Sequence, residues 1–274
     1  MGHWKNTLCL SAAIWGVSSV FSSQAFAQDG SWILDARLRA EVVQQDGRKD
    51  AEALTLRARA GYDYKISERW SILGEAEGVL HLNDSFADTV ETRPGYAVVA
   101  DPEALEINRL QIAYKDDKTA ATLGRQRIIL GGARFVGNVG FRQNEQTFSA
   151  LSIRNEILNY TRIEFAQINH IQSNQDSDLD SAHQDINAKL LNLNYRGFWL
   201  SDLSLYALWI SDYPEQRQWE TSTYGIRFAG DLGGEFAVAY QVEFARQEDA
   251  GSNPLSYSLA YSLMDLLFAY DSFQ

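Results

Sequence analysis

The chain has 274 residues, 45% hydrophobic and 22% charged, with 24 Lys+Arg against 36 Asp+Glu and a formal net charge of -12. That acidic balance excludes general nucleic-acid binding, which needs a basic field to displace counterions from phosphates. Mean hydropathy is -0.29, and no apolar run beyond the N-terminus approaches the ~18–20 residues of a membrane-spanning helix, so a helical membrane protein is excluded as well.

The first element is a leader. Lys5 and the apolar stretch Leu8–Val17 precede Ala25-Phe26-Ala27, the small-x-small pattern of a secretory cleavage site. Residues 1–27 are expected to be a signal peptide and residues 28–274 one exported domain. Cys9, the one cysteine, leaves with the leader, so the mature chain has no disulfide, thiolate metal site or cysteine nucleophile. Loss of Lys5 takes the charge from -12 to -13.

A period of two then governs the chain. Trp32, Leu34, Ala36, Leu38, Ala40 and Val42 share one parity, and Ile33, Asp35, Arg37, Arg39, Glu41 and Val43 the other. Leu54 to Tyr64 and Thr55 to Lys65 repeat the pattern. Such alternation marks a strand with one apolar and one polar face. Its length exceeds the ~5–6 residues of most soluble strands and matches the ~9–11 that cross a bilayer at a tilt. Twelve strands are expected, near 31–43, 52–65, 70–82, 105–115, 119–130, 143–153, 159–169, 186–195, 201–210, 221–229, 235–246 and 256–270.

Connections alternate in length. Lys65–Arg69, Asp116–Lys118, Arg154–Leu158, Arg196–Leu200 and Gly230–Gly234 are tight; Gln44–Asp50, Asn83–Ala104, Leu130–Arg142, His170–Asp185, Ser211–Glu220 and Arg246–Leu255 are longer and polar. Short turns at one end and long loops at the other characterise an outer-membrane barrel. Tyr62, Tyr64, Trp70, Tyr114, Tyr195, Phe198, Trp199, Phe228 and Phe236 flank the short turns, where a membrane–water boundary favours amphipathic rings. A soluble sandwich would bury the Arg and Glu of the polar parity in a dry core, at several kcal/mol each. The fold expected is therefore an all-β, antiparallel, up-and-down transmembrane barrel, located in the bacterial outer membrane and surrounded by its lipid.

The centre is rich in arginine. Arg125, Arg127, Arg134, Arg142 and Glu145 are interleaved with Gln126, Gln143, Asn144 and Gln146, and glycines at 131, 132, 137 and 140 let the segment bend back into the barrel. Alternation falters near Gly124 and Phe148, where bulges are expected. Leu123 to Phe148, with Leu-Gly-Arg-Gln followed by Arg-Phe-Val-Gly-Asn-Val-Gly-Phe-Arg-Gln-Asn-Glu-Gln-Thr-Phe, resembles the alginate-export family of outer-membrane β-barrels. A weaker likeness runs through 163–171, 190–195, 222–227 and 244–254. The resemblance implies a monomeric barrel passing an anionic polysaccharide through an arginine-lined constriction, with Arg125, Arg127, Arg134, Arg142, Asn144 and Glu145 carrying that role. It also implies a barrel of roughly eighteen strands rather than twelve, and a patterned last strand where this chain ends Phe273-Gln274. A truncated or frameshifted barrel is thus one reading of the chain.

Independently of the family, a guanidinium matches a uronate carboxylate bidentately, and Arg37, Arg39, Arg57 and Arg59 on adjacent strands extend the basic series. Inward Glu41, Asp63, Glu75, Glu77 and Glu164 supply alternative partners that would make these arginines wall struts. The partner expected is an anionic saccharide or small anionic solute; the rivals are a general diffusion porin, a non-functional fragment, and an outer-membrane enzyme using His81. The histidines lack metal-ligand spacing and no nucleophile elbow occurs, so no cofactor, metal or catalytic residue is expected. Asp176–Asp185 reads as a solvated acidic loop before a calcium site.

Overall fold

The computed structural model describes residues 12–13, 18–19, 29–90, 93–174, 183–198, 201–213, 217–233 and 236–270. The expected leader cleavage, Trp199, the acidic loop at 176–180 and the terminal Phe273-Gln274 lie outside these residues. Twelve long strands form one sheet: β1 (Gly30–Val43), β2 (Ala51–Lys65), β3 (Trp70–His81), β4 (Ala104–Lys115), β5 (Thr119–Gln126), β6 (Thr147–Asn155), β7 (Thr161–Gln172), β8 (His183–Phe198), β9 (Ser201–Asp212), β10 (Thr221–Leu232), β11 (Phe236–Asp249) and β12 (Ser258–Tyr270). Each pairs antiparallel with the next, so the topology is up-and-down throughout. Among the described residues β1 and β12 do not pair with each other; the outer edge of β1 carries only two dipeptide bridges, Ala12–Ala13 and Ser18–Ser19.

The alternation of the sequence is the alternation of the wall. On β1, Trp32, Leu34 and Leu38 are exposed while Arg37 and Arg39 turn inward; on β2, Thr55 and Arg57 are buried. Exposed leucines and isoleucines continue around the outside, from Ile72 through Leu123 and Ile226 to Leu266. In water this surface would be a liability; against lipid tails it is the matching solvent.

Ring pairs mark the short-turn end. Trp32 lies 4.9 Å from Tyr62 and Trp70 5.1 Å from Tyr114, and Tyr195, Phe198, Phe228 and Tyr240 continue the band at 5.3–6.3 Å. Turns there are sequence-coded. Asp116 accepts the Lys118 and Thr119 N–H groups at 2.9 and 2.7 Å and the Tyr114 hydroxyl at 2.9 Å, which holds its carboxyl below the usual carboxylate range.

Irregularities fall near the anticipated places. Gly124 stays in register with Gln111 but takes φ +119°, where a Cβ would meet the Leu110 carbonyl at 2.3 Å. The β6–β7 register shifts between Ser149 and Ala150. A further shift in β3–β4 sets Glu75 opposite Arg109 and Ala76 opposite Ile107, leaving Asn108 as the extra residue.

One close approach is unforgiving. Tyr206 pairs across strands with Gly225 and lays its ring over it, sending its hydroxyl to Glu243 Oε1 at 2.5 Å; a Cβ on Gly225 would lie 2.1 Å from the ring. Gly225→Ala is expected to cost about 1–3 kcal/mol through overpacking. The readout is a lower temperature for conversion of the folded, heat-modifiable band on a detergent gel. Gly74→Ala, with nothing within 4 Å of the new methyl, should leave that temperature unchanged.

Candidate functional site

The segment between β5 and β6 does not extend those strands outward. Strands expected at 119–130 and 143–153 stop at Gln126 and start at Thr147, and residues 127–146 fold back into the concave side of the sheet. Backbone hydrogen bonds hold each of its two limbs: Leu130 N–H to the Val136 carbonyl at 3.0 Å in the first, and Gln146 N–H to the Asn138 carbonyl at 2.8 Å and Arg142 N–H to the Val139 carbonyl at 3.0 Å in the second. Gly131, Ala133 and Val139 take positive φ of 53–59° at the bends. For β-branched Val139 this conformation is strained and is held by the contacts around it.

The first limb is apolar. Ile128, Leu130 and Val136 are buried against Phe148, Ala150, Ala166, Ile168, Ile186, Ala188, Leu190 and Leu208, with Phe135 against Tyr206 and Tyr261. The inward face is therefore not polar all round, as alternation on the first strands suggests: it is charged on β1–β4 and apolar on β6–β9. Burying each of these aliphatic side chains contributes about 1.5–3 kcal/mol. That packing keeps the limb on the wall.

The second limb is polar and meets the charged wall. Arg37 donates to the carbonyls of Gly140, Phe141 and Arg142 at 3.0, 2.9 and 3.0 Å. Glu145, 1% exposed, accepts from Arg127 Nε at 2.5 Å, Asn108 at 2.6 Å and Asn138 at 2.9 Å, and lies 3.5 Å from Arg59. Glu75 binds Arg109 through both of its oxygens, at 2.9 and 2.6 Å, and reaches Arg127 at 3.2 Å. Arg59 also pairs with Glu77, Arg57 with Asp35, and Arg39 with Asp101 and, at 2.5 Å, Glu41. Arg142 completes the lattice on Glu41 at 3.2 Å.

Gln143 and Asn144 lock the limb to the loop at 82–103. The Gln143 N–H donates to Asp101 at 3.0 Å, its side-chain amide to the Thr55 hydroxyl at 2.8 Å, and Asn144 to the Pro102 carbonyl at 3.2 Å. Phe86, Ala97 and Val99 anchor that second loop on Ala51 and Ala53. His81 binds the Asp101 carbonyl at 2.8 Å and lies 3.7 Å from Asp88, so it belongs to this anchor.

Of the sequence-predicted residues, Arg37, Arg39, Arg57, Arg59, Arg127, Arg142, Asn144 and Glu145 are thus brought into one network. Two stand apart. Arg125 pairs across strands with the exposed Leu110 and donates to the Ile107 carbonyl at 2.8 Å. Arg134 is exposed at the loop tip, over the Tyr261 ring at 5.1 Å. Asp101, Asn108 and Arg109 escape sequence reasoning. Arg109 sits on the outward parity of a strict alternation, and only the bulge at Asn108 turns it toward Glu75.

Arranged this way, the loop narrows the concave side from two walls while leaving Gly131–Arg134, Gly140 and Phe141 exposed as its free margin. A Cβ added to Gly131 would lie 3.5 Å from the Arg227 side chain and one added to Gly132 3.7 Å from the Gln241 amide, so the tip reaches β10 and β11. Contact with β1 through Arg37 and with β12 through Arg134 requires a sheet curled around the loop.

No protein-family model and no curated protein matches the chain. Solved structures do. OccAB3 of Acinetobacter baumannii superposes with a TM-score of 0.67 at 12% identity, over 88% of this chain and 64% of that one. OccAB2 of the same organism gives 0.68 at 12% identity, over 89% and 64%. OpdK of Pseudomonas aeruginosa, solved with vanillate, gives 0.64 at 12% identity, over 89% and 65%. This chain spans less than two thirds of the length of each. At such identity the likeness shows the fold alone: an all-β, antiparallel, up-and-down sheet of the kind found in outer-membrane porin barrels.

The lattice gives a direct expectation. Removing Glu145 leaves Arg127 and Arg59 facing each other without their shared carboxylate, a loss of several kcal/mol for a buried group. Glu145→Ala should lower the conversion temperature of the folded, heat-modifiable form on a detergent gel, with Glu145→Gln intermediate.

Proposed function

We propose that the chain is a passive channel of the porin type, in which the loop at 127–146 sets the bore and small solutes pass along its exposed margin. The observation that carries this reading is the matched interior. Arg39, Arg57, Arg59, Arg109, Arg127 and Arg142 each already pair with a protein carboxylate. An exporter of an alginate-like polyanion needs successive guanidiniums free to exchange one uronate for the next. Here such exchange would break an existing ion pair at every step. The matching supports a general small-solute porin over the polysaccharide exporter that the family resemblance implies. No cofactor and no covalent step enter, and the partners are solute and surrounding lipid, with the barrel as a monomer.

A residual preference for anions has its own support. Among the described residues Arg134 has no ion pair and stands exposed at the loop tip, over the Tyr261 ring. An unmatched guanidinium at a narrowing raises local anion concentration. A small carboxylate such as the vanillate found with OpdK fits that margin better than a polymer does.

Planar-bilayer recording tests the reading. A steady conductance with mild anion preference is expected, unaffected by uronate oligomers; Arg134→Ala should reduce the anion-to-cation permeability ratio by about twofold, and shortening the tip at 131–136 should raise conductance. Long-lived blockades by uronate oligomers that vanish in Arg142→Ala would instead establish the polysaccharide path.

A further inference from the structure

Strand pairing brings together two histidines that lie far apart in the chain. His170, near the end of β7, stands opposite Asp185 on β8, and Gln172 stands opposite His183. Side chains two residues apart on a strand share a face, so all four lie on one face of the β7–β8 ladder, where the long connection at 173–182 leaves it. The ring centroids of His170 and His183 are 5.7 Å apart, with their planes 34° from each other. On β6 the residues opposite His170 and Gln172 are Ser149 and Thr147. The register partners on both neighbouring strands thus bring no lysine or arginine to the pair.

Two further features prepare this face for a ligand. His170 Nδ1 donates to Asp185 Oδ1 at 2.9 Å. A carboxylate takes only that role in such a bond, so the neutral ring carries its proton on Nδ1 and keeps the lone pair on Nε2. A carboxylate behind an imidazole in this way orients the ring and raises the basicity of its other nitrogen, as it does for metal-ligating histidines. Gln172 is 1% exposed, and among the described residues neither its Oε1 nor its Nε2 meets a hydrogen-bond partner. Directly opposed residues have Cβ atoms about 4.5–5.5 Å apart, so this buried amide lies beside His183, within reach of whatever is bound there.

We propose that His170 and His183 together bind one transition-metal ion of the zinc type, with water and the Gln172 amide completing its surroundings. Imidazole suits such an ion, whereas calcium and magnesium call for oxygen donors. With metal–nitrogen bonds of about 2.0–2.1 Å, two imidazoles on one ion have centroids on the order of 5–6 Å apart, and the rings of this pair stand at that separation. Among the described residues no three His, Cys, Asp or Glu side chains gather as a metal cage; the site is a two-imidazole one, in which Asp185 holds His170 rather than the ion. The ion ties β7 to β8 just beyond the register shift between Asp185 and Ala188, where the ladder is interrupted. This role is independent of whether, and which, solutes pass through the barrel.

Equilibrium dialysis of the untagged, detergent-solubilised chain against zinc chloride tests it, with His170→Ala, His183→Ala, Asp185→Asn and the exposed Glu52→Gln as variants. The wild type and Glu52→Gln should hold one ion per chain with equal affinity. Each histidine variant should lose about tenfold or more in affinity, and Asp185→Asn should show a smaller loss through its hold on His170. In the wild type, zinc should shift the imidazole nitrogen resonances of His170 and His183 together and leave those of His81 in place. Should an alanine variant fail to fold, His170→Gln or His183→Gln reads the same loss. Affinity unchanged in either histidine variant, resonance shifts confined to one ring, or no uptake by the wild type above surface background overturns the site.

Discussion

A guanidinium withdrawn from bulk water has to find oxygen acceptors, carboxylates above all, and the interior of this sheet is organised by that requirement. Six arginines from the wall and the loop meet Asp35, Glu41, Glu75, Glu77, Asp101 and Glu145 in an interlocked set rather than in isolated couples. Buried ion pairs add little net stability over apolar packing, but breaking one is expensive. Their contribution is therefore positional. Glu145 contacts Arg127 beside it, Arg59 on β2 and Asn108 on β4, and this three-way attachment fixes where the loop lies across the concave face.

The loop has two chemistries because the wall has two. Ile128, Leu130 and Val136 pack on the aliphatic inward side chains of β6–β9, while Arg142 to Glu145 face the charges of β1–β4. Neither limb would be stable if exchanged with the other: aliphatic carbon on the guanidinium wall would strip hydrogen bonds, and Glu145 against Leu190 would be an unmatched charge. Segregating the two also fixes the loop's rotation. Such a segment is a built part of the wall.

The sequence made the strands legible, because a period of two needs no tertiary knowledge. Ten of the twelve strands end within a few residues of their expected limits, and the inward parity of Arg37, Arg39, Arg57 and Arg59 follows from the apolar partners between them. The two misplaced ends are those beside the loop. Ile128-Ile129-Leu130 has no polar partner to reveal a period, and the residues from Gln143 to Gln146 are polar on both parities. Those boundaries are set by contacts with distant strands. Asp101 was equally hidden: nothing in the long connection before β4 announces that one carboxylate will reach Arg39 and the Gln143 amide. A single extra residue at Asn108 moves Arg109 from lipid to lumen, and the local sequence carries no mark of it. The charge-rich composition of the site could be read; its pairing could not.

Fastening the loop on both limbs has a consequence for whatever moves through. In the proposed channel the exposed residues Gly131–Arg134, Gly140 and Phe141 border the bore, and the Arg134 guanidinium at the tip makes the field across it uneven. An uneven field of that kind exerts a torque on a dipolar molecule as well as a pull. Zwitterions and amides of no net charge would be aligned by it, and two isomers of equal size and charge would traverse at different rates according to how their dipoles lie along their long axes.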